Sequence, residues 1–363
     1  MVTAGPVVVT HALGSYPVYV EPGGLGRLEA LVAEHVASAR LAMIADEAVF
    51  ALLQAGRLGR GPWADASLTF PPGESSKTRE QWARLTDALL AQGFGRDSGI
   101  VAFGGGVAGD LAGFVAATYL RGLPYIQVPT SLLAMLDASV GGKTGVDTPA
   151  GKNLVGAFHP PTAVLADPRV LATLPERDFR GGMAEAVKHG LIADGDYFAW
   201  MERDAEALLR RDETALTRLV RRSVEIKAEV VSGDERETGR RAILNAGHTV
   251  AHALEHATAY RLPHGEAVAL GLVAECALAE AIGAAPDGVR GRVSALLAGL
   301  GLPVRLPEAL DPDLILAAMT SDKKNRAARV RFALPQRLGK MDARSWTREA
   351  PEPAIRSALK VIL

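Results

Sequence analysis

Short apolar runs alternate with segments of helical period along the first half of the chain. The runs have the length typical of buried strands. They are PVYVE, LAMIAD, SLTF, GIVAFGG, YIQVP and AVLAD, at residues 17–21, 41–46, 67–70, 99–105, 125–129 and 163–167. Helical segments such as SSKTREQWARLTDALLAQG, residues 75–93, separate several of them. This alternation predicts βαβ units and a doubly wound, mostly parallel sheet.

The pattern changes near residue 175, after which apolar positions recur with helical period almost throughout. The helical segments cover residues 175–210, 213–235, 247–260 and 265–283. We therefore predict two domains, an α/β domain over residues 1–174 and a helical domain over residues 175–363.

Composition narrows the class of protein. The 363 residues carry 40 Lys and Arg against 41 Asp and Glu, so no strong net charge draws the chain to nucleic acid or to an anionic membrane. The single cysteine, Cys276, excludes an intramolecular disulfide and a thiolate metal cluster. The apolar N-terminal stretch has no basic region before it, and no segment has the ~20 uninterrupted apolar residues of a membrane span. We therefore expect a cytoplasmic protein.

A glycine-rich turn follows the run at residues 99–105. Gly104, Gly106 and Gly109 stand in G-x-G-x-x-G order ahead of a helical segment. Backbone N–H groups at such a turn can bind a pyrophosphate, although tight strand-to-helix turns also use glycine for steric reasons alone. The usual acidic residue about 20 positions downstream is missing. Asp46, at the end of an earlier apolar run, could hold a ribose instead, so the turn predicts a dinucleotide on a non-standard Rossmann unit.

A long, polar, glycine-rich segment follows at residues 128–161. Long structured loops in compact domains are usually functional, and lysines beside glycines suit the binding of phosphate or carboxylate groups. The alternative is a solvated surface loop. The candidate polar residues in it are Asp137, Lys143, Asp147, Lys152 and Asn153.

Three histidines recur every four residues in NAGHTVAHALEHA, residues 245–257. His248 and His252 lie about 6 Å apart along one helical face, where two imidazoles can bind one ion. His256 lies about 12 Å from His248 along the helix axis, which strains joint ligation by the outer pair. A metalloprotease motif would need glutamate at position 249, where threonine stands.

Further ligands could come from neighbouring segments. Pro263 ends the histidine helix, and His264 opens the next one. Glu185 lies in an otherwise apolar helical stretch, where a carboxylate is costly unless it is paired or bound to a metal, and Lys188 follows one turn later. These residues predict a metal site, with a purely structural role for the helix histidines as the alternative.

A dispersed basic set consists of Lys227, Arg241, Lys323 and Lys324. Such residues usually form solvated faces, but together with the lysines of the polar segment they could surround a small polyanion.

The order of these motifs between residues 45 and 340 resembles that of the 3-dehydroquinate synthase family, a member of the sugar-phosphate cyclase superfamily. The motifs that carry the resemblance are GGGVAGDLAGFVAATYLRG, VPTSLLAMLDASVGGKTGVDTPAGKNLVGAFHPP, GGMAEAVKHG, IKAEVV, RAILNAGHTVAHALEH, HGEAV and DKK. The resemblance implies a Rossmann-like NAD-binding domain, a helical metal- and substrate-binding domain and a homodimer. It also implies NAD and one divalent metal, Zn²⁺ or Co²⁺, as cofactors.

The resemblance also implies an activity, the conversion of 3-deoxy-D-arabino-heptulosonate 7-phosphate into 3-dehydroquinate and phosphate. This carbon–oxygen lyase reaction belongs to the shikimate pathway of aromatic amino acid biosynthesis. NAD transiently oxidises the ring alcohol, phosphate is eliminated, the ketone is reduced again, and the ring closes by an aldol step. The alternatives are a related cyclase acting on sedoheptulose 7-phosphate or an amino analogue, a metal-dependent polyol dehydrogenase, and a non-enzymatic binding protein.

The family motifs assign roles to individual residues. Glu185, His248 and His264 match the metal ligands, and Arg121 matches an arginine that reaches the active site of the partner subunit. His252 becomes a catalytic or phosphate-contacting residue, and His256 keeps a structural role. The remaining catalytic and substrate-pocket positions are Asp137, Lys143, Asn153, Lys188, Lys227, Arg241, Asn245 and one or both of Lys323 and Lys324.

A further set matches family positions around NAD and includes residues of the glycine turn and of the polar segment. Its members are Asp46, Glu74, Lys77, Gly105, Gly106, Val107, Asp110, Thr130, Ser131, Lys143, Lys152 and Thr173.

Overall fold

A computed structural model describes residues 5–59, 64–308, 310–321 and 330–363. The chain forms two compact units. The first runs to Pro175 and includes Leu216–Ser232, and the second consists of Glu176–Ala215 and the chain from Gly233 onward. The sequence placed residues 216–232 in the helical half. They belong to the first unit because Ser232 accepts a hydrogen bond from the Thr10 N–H at 2.9 Å and Lys227 forms an ion pair with Asp137.

The first unit contains a seven-stranded sheet and a separate hairpin. Its strands are β1 Val7–His11, β2 Gly14–Val20, β3 Arg40–Asp46, β4 Ala66–Phe70, β5 Ser98–Gly104, β6 Tyr125–Pro129, β7 Lys143–Thr148, β8 Gly151–Phe158 and β9 Ala163–Ala166. The sheet order is β1-β2-β9-β6-β5-β3-β4, with only the β1–β2 pair antiparallel. All six apolar runs contribute to this sheet, and the predicted parallel α/β class is confirmed.

Helices pack against this sheet. They are α1 Leu28–His35, α2 Glu47–Gln54, α3 Arg79–Ala91 and α4 Gly106–Thr118. Asp46 caps α2 by accepting the Val49 N–H at 2.9 Å, and Thr78 caps α3 by accepting the Gln81 N–H at 3.2 Å. Helix α4 is apolar on most sides and is buried in the core of the first unit.

The polar segment after β6 forms the β7–β8 hairpin, which the sequence did not predict as strands. β7 and β8 pair antiparallel from Lys143 opposite Phe158 to Thr148 opposite Gly151. The hairpin packs on α4 at Gly113, where an added Cβ would lie 2.5 Å from the Thr144 methyl carbon. Several apolar side chains of β8 remain exposed, including 52% of Phe158.

The second unit is mainly helical. Its helices are α5 Glu176–Ala193, α6 Gly195–Leu209, α8 His248–Ala257, α9 His264–Ala281, α10 Val289–Gly299, α11 Pro312–Ser321 and α12 Glu352–Leu359, and α7 Glu213–Gly233 joins the two units. The predicted helical segment 175–210 breaks at Asp194, whose side chain caps α6 by accepting the Tyr197 N–H. The described part of this unit also contains four short strands, β10 Arg331–Phe332, β11 Pro335–Arg337, β12 Lys340–Met341 and β13 Arg348–Glu349.

Helix α9 is the centre of the second unit, because nearly all its residues are buried and α5, α8, α10 and α12 pack around it. Such a helix shows apolar residues on every face, which explains its nearly uninterrupted apolar sequence. Within the described part of the chain, no helix is both long and apolar enough to span a membrane.

Candidate active site

Three side chains from three helices of the second unit meet at one point. Glu185 lies in the middle of α5, while His248 and His264 are the first residues of α8 and α9. Glu185 Oε1 lies 3.4 Å from His248 Nε2 and 3.7 Å from His264 Nε2. Tetrahedral zinc with bonds near 2.1 Å separates its ligand atoms by about 3.4 Å. The cluster therefore fits three of the four ligand positions of a tetrahedral metal ion.

Glycine contacts bring these helices together. An added Cβ on Gly265 would lie 2.3 Å from the carbonyl oxygen of Gly181, so α5 and α9 touch backbone to backbone beside His264. An added Cβ on Gly271 would lie 1.9 Å from the carbonyl oxygen of Gly247, so α8 and α9 touch in the same way beside His248. The helices can approach this closely only because these positions lack a side chain.

Hydrogen-bond acceptors orient both imidazoles. His248 Nδ1 donates to the Ala246 carbonyl oxygen at 3.1 Å, and His264 Nδ1 faces Glu255 Oε1 at 3.4 Å. In the neutral form of each imidazole, the proton would lie on Nδ1, and Nε2, which faces Glu185, would carry the lone pair that binds a metal. Metal-binding histidines in proteins are commonly held by such acceptors.

The charges in this cluster favour an ionised carboxylate. Glu185 is fully buried, and Lys188, His248 and His264 surround its two oxygens. Burial opposes ionisation, but the contacting Lys188 ammonium and His248 hold the pKa of Glu185 well below its ordinary value. Burial likewise opposes protonation of His264, but Glu185 and Glu255 raise its pKa to about 9. A divalent cation can compensate the two carboxylates in place of that proton.

The other two histidines of α8 differ in position. The ring centroid of His252 lies 5.5 Å from that of His248 and 6.5 Å from that of His264, so its imidazole borders the cluster. It is half-buried and is not one of the three residues whose ligand atoms converge. His256 is exposed on the outer part of the helix.

The glycine turn of the first unit has the predicted strand–turn–helix form. β5 ends at Gly104, and α4 starts at Gly106 with Gly105 as its N-cap, while Val107 and Asp110 lie in its first turns. An added Cβ on Gly104 would lie 3.1 Å from Asp46 Oδ2, which places this carboxylate beside the turn, as its candidate role requires. Burial raises the pKa of Asp46.

Two hydroxyl residues also border the turn. The Thr130 N–H donates to the Gly104 carbonyl oxygen at 2.8 Å, and an added Cβ on Gly105 would lie 3.4 Å from Ser131 Oγ. Thr173 ends the 3₁₀ turn Pro168–Thr173 and donates to the Val170 carbonyl oxygen at 2.8 Å.

A buried lysine links the turn to the hairpin. Lys77 Nζ lies 2.5 Å from both Asp110 Oδ2 and Asn153 Oδ1. Burial alone would lower the pKa of Lys77, but Asp110 and Glu74 raise it above its ordinary value. Burial raises the pKa of Glu74, although Lys77 and Lys152 act against this rise.

The remaining predicted residues occupy different settings. In the first unit, Lys227 Nζ lies 2.5 Å from Asp137 Oδ1, while Lys143 is exposed at the start of β7. Arg121 is also exposed, and both it and Leu120 adopt the left-handed backbone region, with φ of 72° and 48°. Strained non-glycine backbone of this kind is common at functional sites.

In the second unit, Arg241 is buried and donates to the Glu235 carbonyl oxygen at 2.5 Å. Asn245 Nδ2 donates to Glu237 Oε1 at 2.6 Å. Lys323 and Lys324 lie outside the described residues.

The sequence reasoning missed two buried carboxylates, Glu255 and Glu275. Glu255 faces His264, and Glu275 accepts the backbone N–H groups of Gly247 and Val250 next to His248. Glu275 stands in the apolar stretch of α9, the same signal that drew attention to Glu185.

Family models match most of the chain. The family model described as 3-dehydroquinate synthase N-terminal matches residues 67–181, and the one described as 3-dehydroquinate synthase C-terminal matches residues 182–325. The chain belongs to the 3-dehydroquinate synthase family. A 3-dehydroquinate synthase from Symbiobacterium thermophilum is 46% identical over 348 residues, which cover 92% of this chain and 97% of the relative. The predicted activity and its lyase class are confirmed.

Two solved structures of similar fold have other names. A 2-deoxy-scyllo-inosose synthase complexed with carbaglucose-6-phosphate, NAD⁺ and Co²⁺ is 28% identical, with a TM-score of 0.87 over 99% of this chain and 100% of that one. A 2-epi-5-epi-valiolone synthase from Streptomyces hygroscopicus subsp. jinggangensis, with NAD⁺ and Zn²⁺ bound, is 30% identical, with a TM-score of 0.84 over 98% and 99% of the two chains. Relatives at 42–49% identity are 3-dehydroquinate synthases, so this activity is favoured over those of the other cyclases.

Proposed function

We propose that the chain converts 3-deoxy-D-arabino-heptulosonate 7-phosphate into 3-dehydroquinate and phosphate with NAD and one zinc ion as cofactors. The observation that carries the proposal is the convergence of Glu185, His248 and His264 within 4.8 Å. Three protein ligands leave the fourth position of a tetrahedral zinc ion open for substrate.

The cofactors would supply the redox and Lewis-acid chemistry, and the protein residues would bind the cofactors and the substrate. When bound, NAD⁺ would oxidise the ring alcohol of the substrate to a ketone, and the NADH so formed would reduce the ketone again after phosphate has left, while the metal would increase the acidity of the hydroxyl group. In the first unit, the Gly104–Gly106 turn offers backbone N–H groups to the NAD pyrophosphate, and Asp46 offers its carboxylate to a ribose.

Basic residues would hold the carboxylate and phosphate of the substrate. Lys227 is fixed by Asp137, and Arg241 is fixed by Glu235, so neither side chain needs much reordering to bind an anion. Lys188 stands beside Glu185, and His252 borders the metal cluster, where its imidazole can exchange a proton with substrate or phosphate.

One assay tests the reaction. The protein is incubated with the heptulosonate phosphate, Zn²⁺ and NAD at a concentration far below that of the substrate, and released phosphate and NADH are both measured. We expect many phosphates per NAD and no net NADH. Net NADH without phosphate would indicate a dehydrogenase, and neither product would refute the proposed reaction. Sedoheptulose 7-phosphate serves as the competing substrate, because a related cyclase acting on it is the alternative activity.

We also propose that the chain acts as a homodimer in the cytoplasm. The exposed apolar residues Leu154, Val155 and Phe158 of β8 suit burial against a second copy, and the buried Cys276 fits a reducing compartment. In the dimer, the exposed Arg121 would reach the active site of the other subunit.

Mixed dimers test the role of Arg121. Arg121→Ala and Glu185→Gln are each expected to be inactive alone. A mixed dimer of the two would contain one complete site, so an equal mixture should recover about a quarter of wild-type activity. No recovery in a mixture shown to contain mixed dimers would refute the shared site, and a monomer in solution would refute the dimer.

A further inference from the structure

The first turn of α8 carries the candidate ligand His248 but has no cap of its own. Its N-cap is Gly247, which has no side chain to accept the free N–H groups of the turn. Gly247 also cannot be replaced by a capping residue, because its φ is 81° and an added Cβ would lie 2.9 Å from the side chain of Leu272. The cap must therefore come from another segment.

The carboxyl group of a residue in α9 occupies the place of this cap. Glu275 Oε2 accepts the Gly247 N–H at 2.7 Å, and Glu275 Oε1 accepts the Val250 N–H at 3.2 Å. These are the N–H groups of the N-cap residue and of the third helical residue, the latter being a usual target of an N-cap side chain. His248 lies between them, so the two hydrogen bonds hold the backbone on either side of the ligand.

The two helices are also in close contact at this point. Gly271 stands one turn before Glu275 on α9, and its Cα approaches the carbonyl oxygen of Gly247 so closely that no side chain fits. Glu275 itself is only 1% exposed. The start of α8 is therefore attached to α9 by a backbone contact and by the buried side chain of Glu275, while His264 is the first residue of α9.

We propose that Glu275 is a positioning residue that caps α8 from α9 and thereby fixes the place of His248 relative to His264. The metal part of this inference rests on the proposed function, whereas the capping part does not. Replacement of a residue that holds a metal ligand in place, without binding the metal itself, typically lowers metal affinity 10- to 100-fold.

Two substitutions at position 275 test how strongly the capping side chain affects zinc binding. Glu275→Leu removes both acceptor oxygens at similar volume, while Glu275→Gln keeps one acceptor and is the milder change. Glu280→Leu is the matched control, because Glu280 lies on the same helix but accepts the Arg290 N–H instead of a group of α8. Zinc affinity is measured by competition with a chelator, and the absorption spectrum of the Co²⁺ form reports ligand geometry.

We expect zinc to bind 10- to 100-fold more weakly to Glu275→Leu, less than 10-fold more weakly to Glu275→Gln, and normally to Glu280→Leu. The Co²⁺ spectrum should change only in the position 275 variants. In the zinc-free proteins, the Gly247 and Val250 amides should exchange at least tenfold faster in Glu275→Leu than in Glu280→Leu.

Two results would overturn the inference: unchanged amide exchange and zinc affinity in a folded position 275 variant, or an equal loss in Glu280→Leu. If Glu275→Leu fails to fold, the same comparison is made with Glu275→Gln. A wild-type protein that binds no zinc would refute the proposed metal site and His248 positioning for metal binding, while the amide exchange would still decide the cap.

Discussion

Gly265→Ala should separate the candidate metal ligands while adding a single methyl group. The new Cβ would lie 2.3, 2.4 and 2.5 Å from the carbonyl oxygen, Cα and carbonyl carbon of Gly181. Ordinary contacts begin at 3.4 Å, so α5 and α9 must move apart by about 1 Å. Overpacking of this kind costs about 1–3 kcal/mol, partly offset by the roughly 1 kcal/mol helix preference of alanine over glycine. Metal–ligand distances in real sites lie within about 0.2 Å of standard values, so a displacement of this size should lower zinc affinity roughly 10- to 100-fold.

Two other glycines supply controls. An added Cβ on Gly181 would lie 3.7 Å from the Cα of Gly265, so Gly181→Ala changes the same helix contact without a clash. Gly291 lies in α10 with open space around it, so Gly291→Ala should stabilise the protein by about 0.5–1 kcal/mol. Thermal and urea unfolding of the zinc-free proteins, with zinc binding measured separately, compares all three. A Gly265→Ala protein that is as stable as Gly181→Ala and binds zinc normally would refute the reasoning.

Three more predictions concern individual side chains. His252→Ala should lose most turnover but retain zinc when metal content is measured, whereas zinc loss would move His252 into the ligand set. Burial raises the pKa of Glu275 from near 4.5 to about 8, so its stabilising contribution is complete below pH 4.5 and is lost as the pH rises towards 8. In urea unfolding without zinc, the unfolding free energy of the wild type should therefore fall relative to that of Glu275→Gln by up to about 1.4 kcal/mol per pH unit between pH 4.5 and 8. Parallel pH profiles of the two proteins would contradict this. Lys77→Met should lower the free energy of unfolding by up to roughly 3–5 kcal/mol, because it removes the ammonium group that pairs with Asp110. The control Lys340→Met, at an exposed position, should change stability little. Equal effects of the two substitutions would exclude a special role for the Lys77 ion pair.

Much of the fold could be predicted from the sequence because the signals are local. Each of the six apolar runs has strand length, and the helical segments between and after them keep a regular period, so the parallel sheet and the helical half followed directly. The β7–β8 hairpin was missed because its glycines and polar residues hide the alternation of a strand, and its pairing depends on packing against α4. The break between α5 and α6 was missed because Asp194 acts as a cap only in its three-dimensional setting.

The sequence by itself also determined which residue types could do the chemistry. It supplied histidines at helical spacing, a carboxylate in an apolar helix and a glycine turn after a strand, and the family motifs assigned their roles. Spacing alone could not decide whether His248 pairs with His252 or with residues further away. Glu185 and His264 are distant in sequence from one another, and helical periodicity carries no information about which helix faces meet.

Contacts between helix backbones in the tertiary structure determine which side chains lie next to His248. Gly265 against Gly181 and Gly271 against Gly247 set how closely α5, α8 and α9 approach, and so which side chains can share one ion. The same packing brings the buried carboxyl group of Glu275 to the start of α8. A glycine or an acidic residue in a helix has these effects only when a second helix lies against it, which is why the sequence offers candidate ligands but only the packing of the helices brings them together.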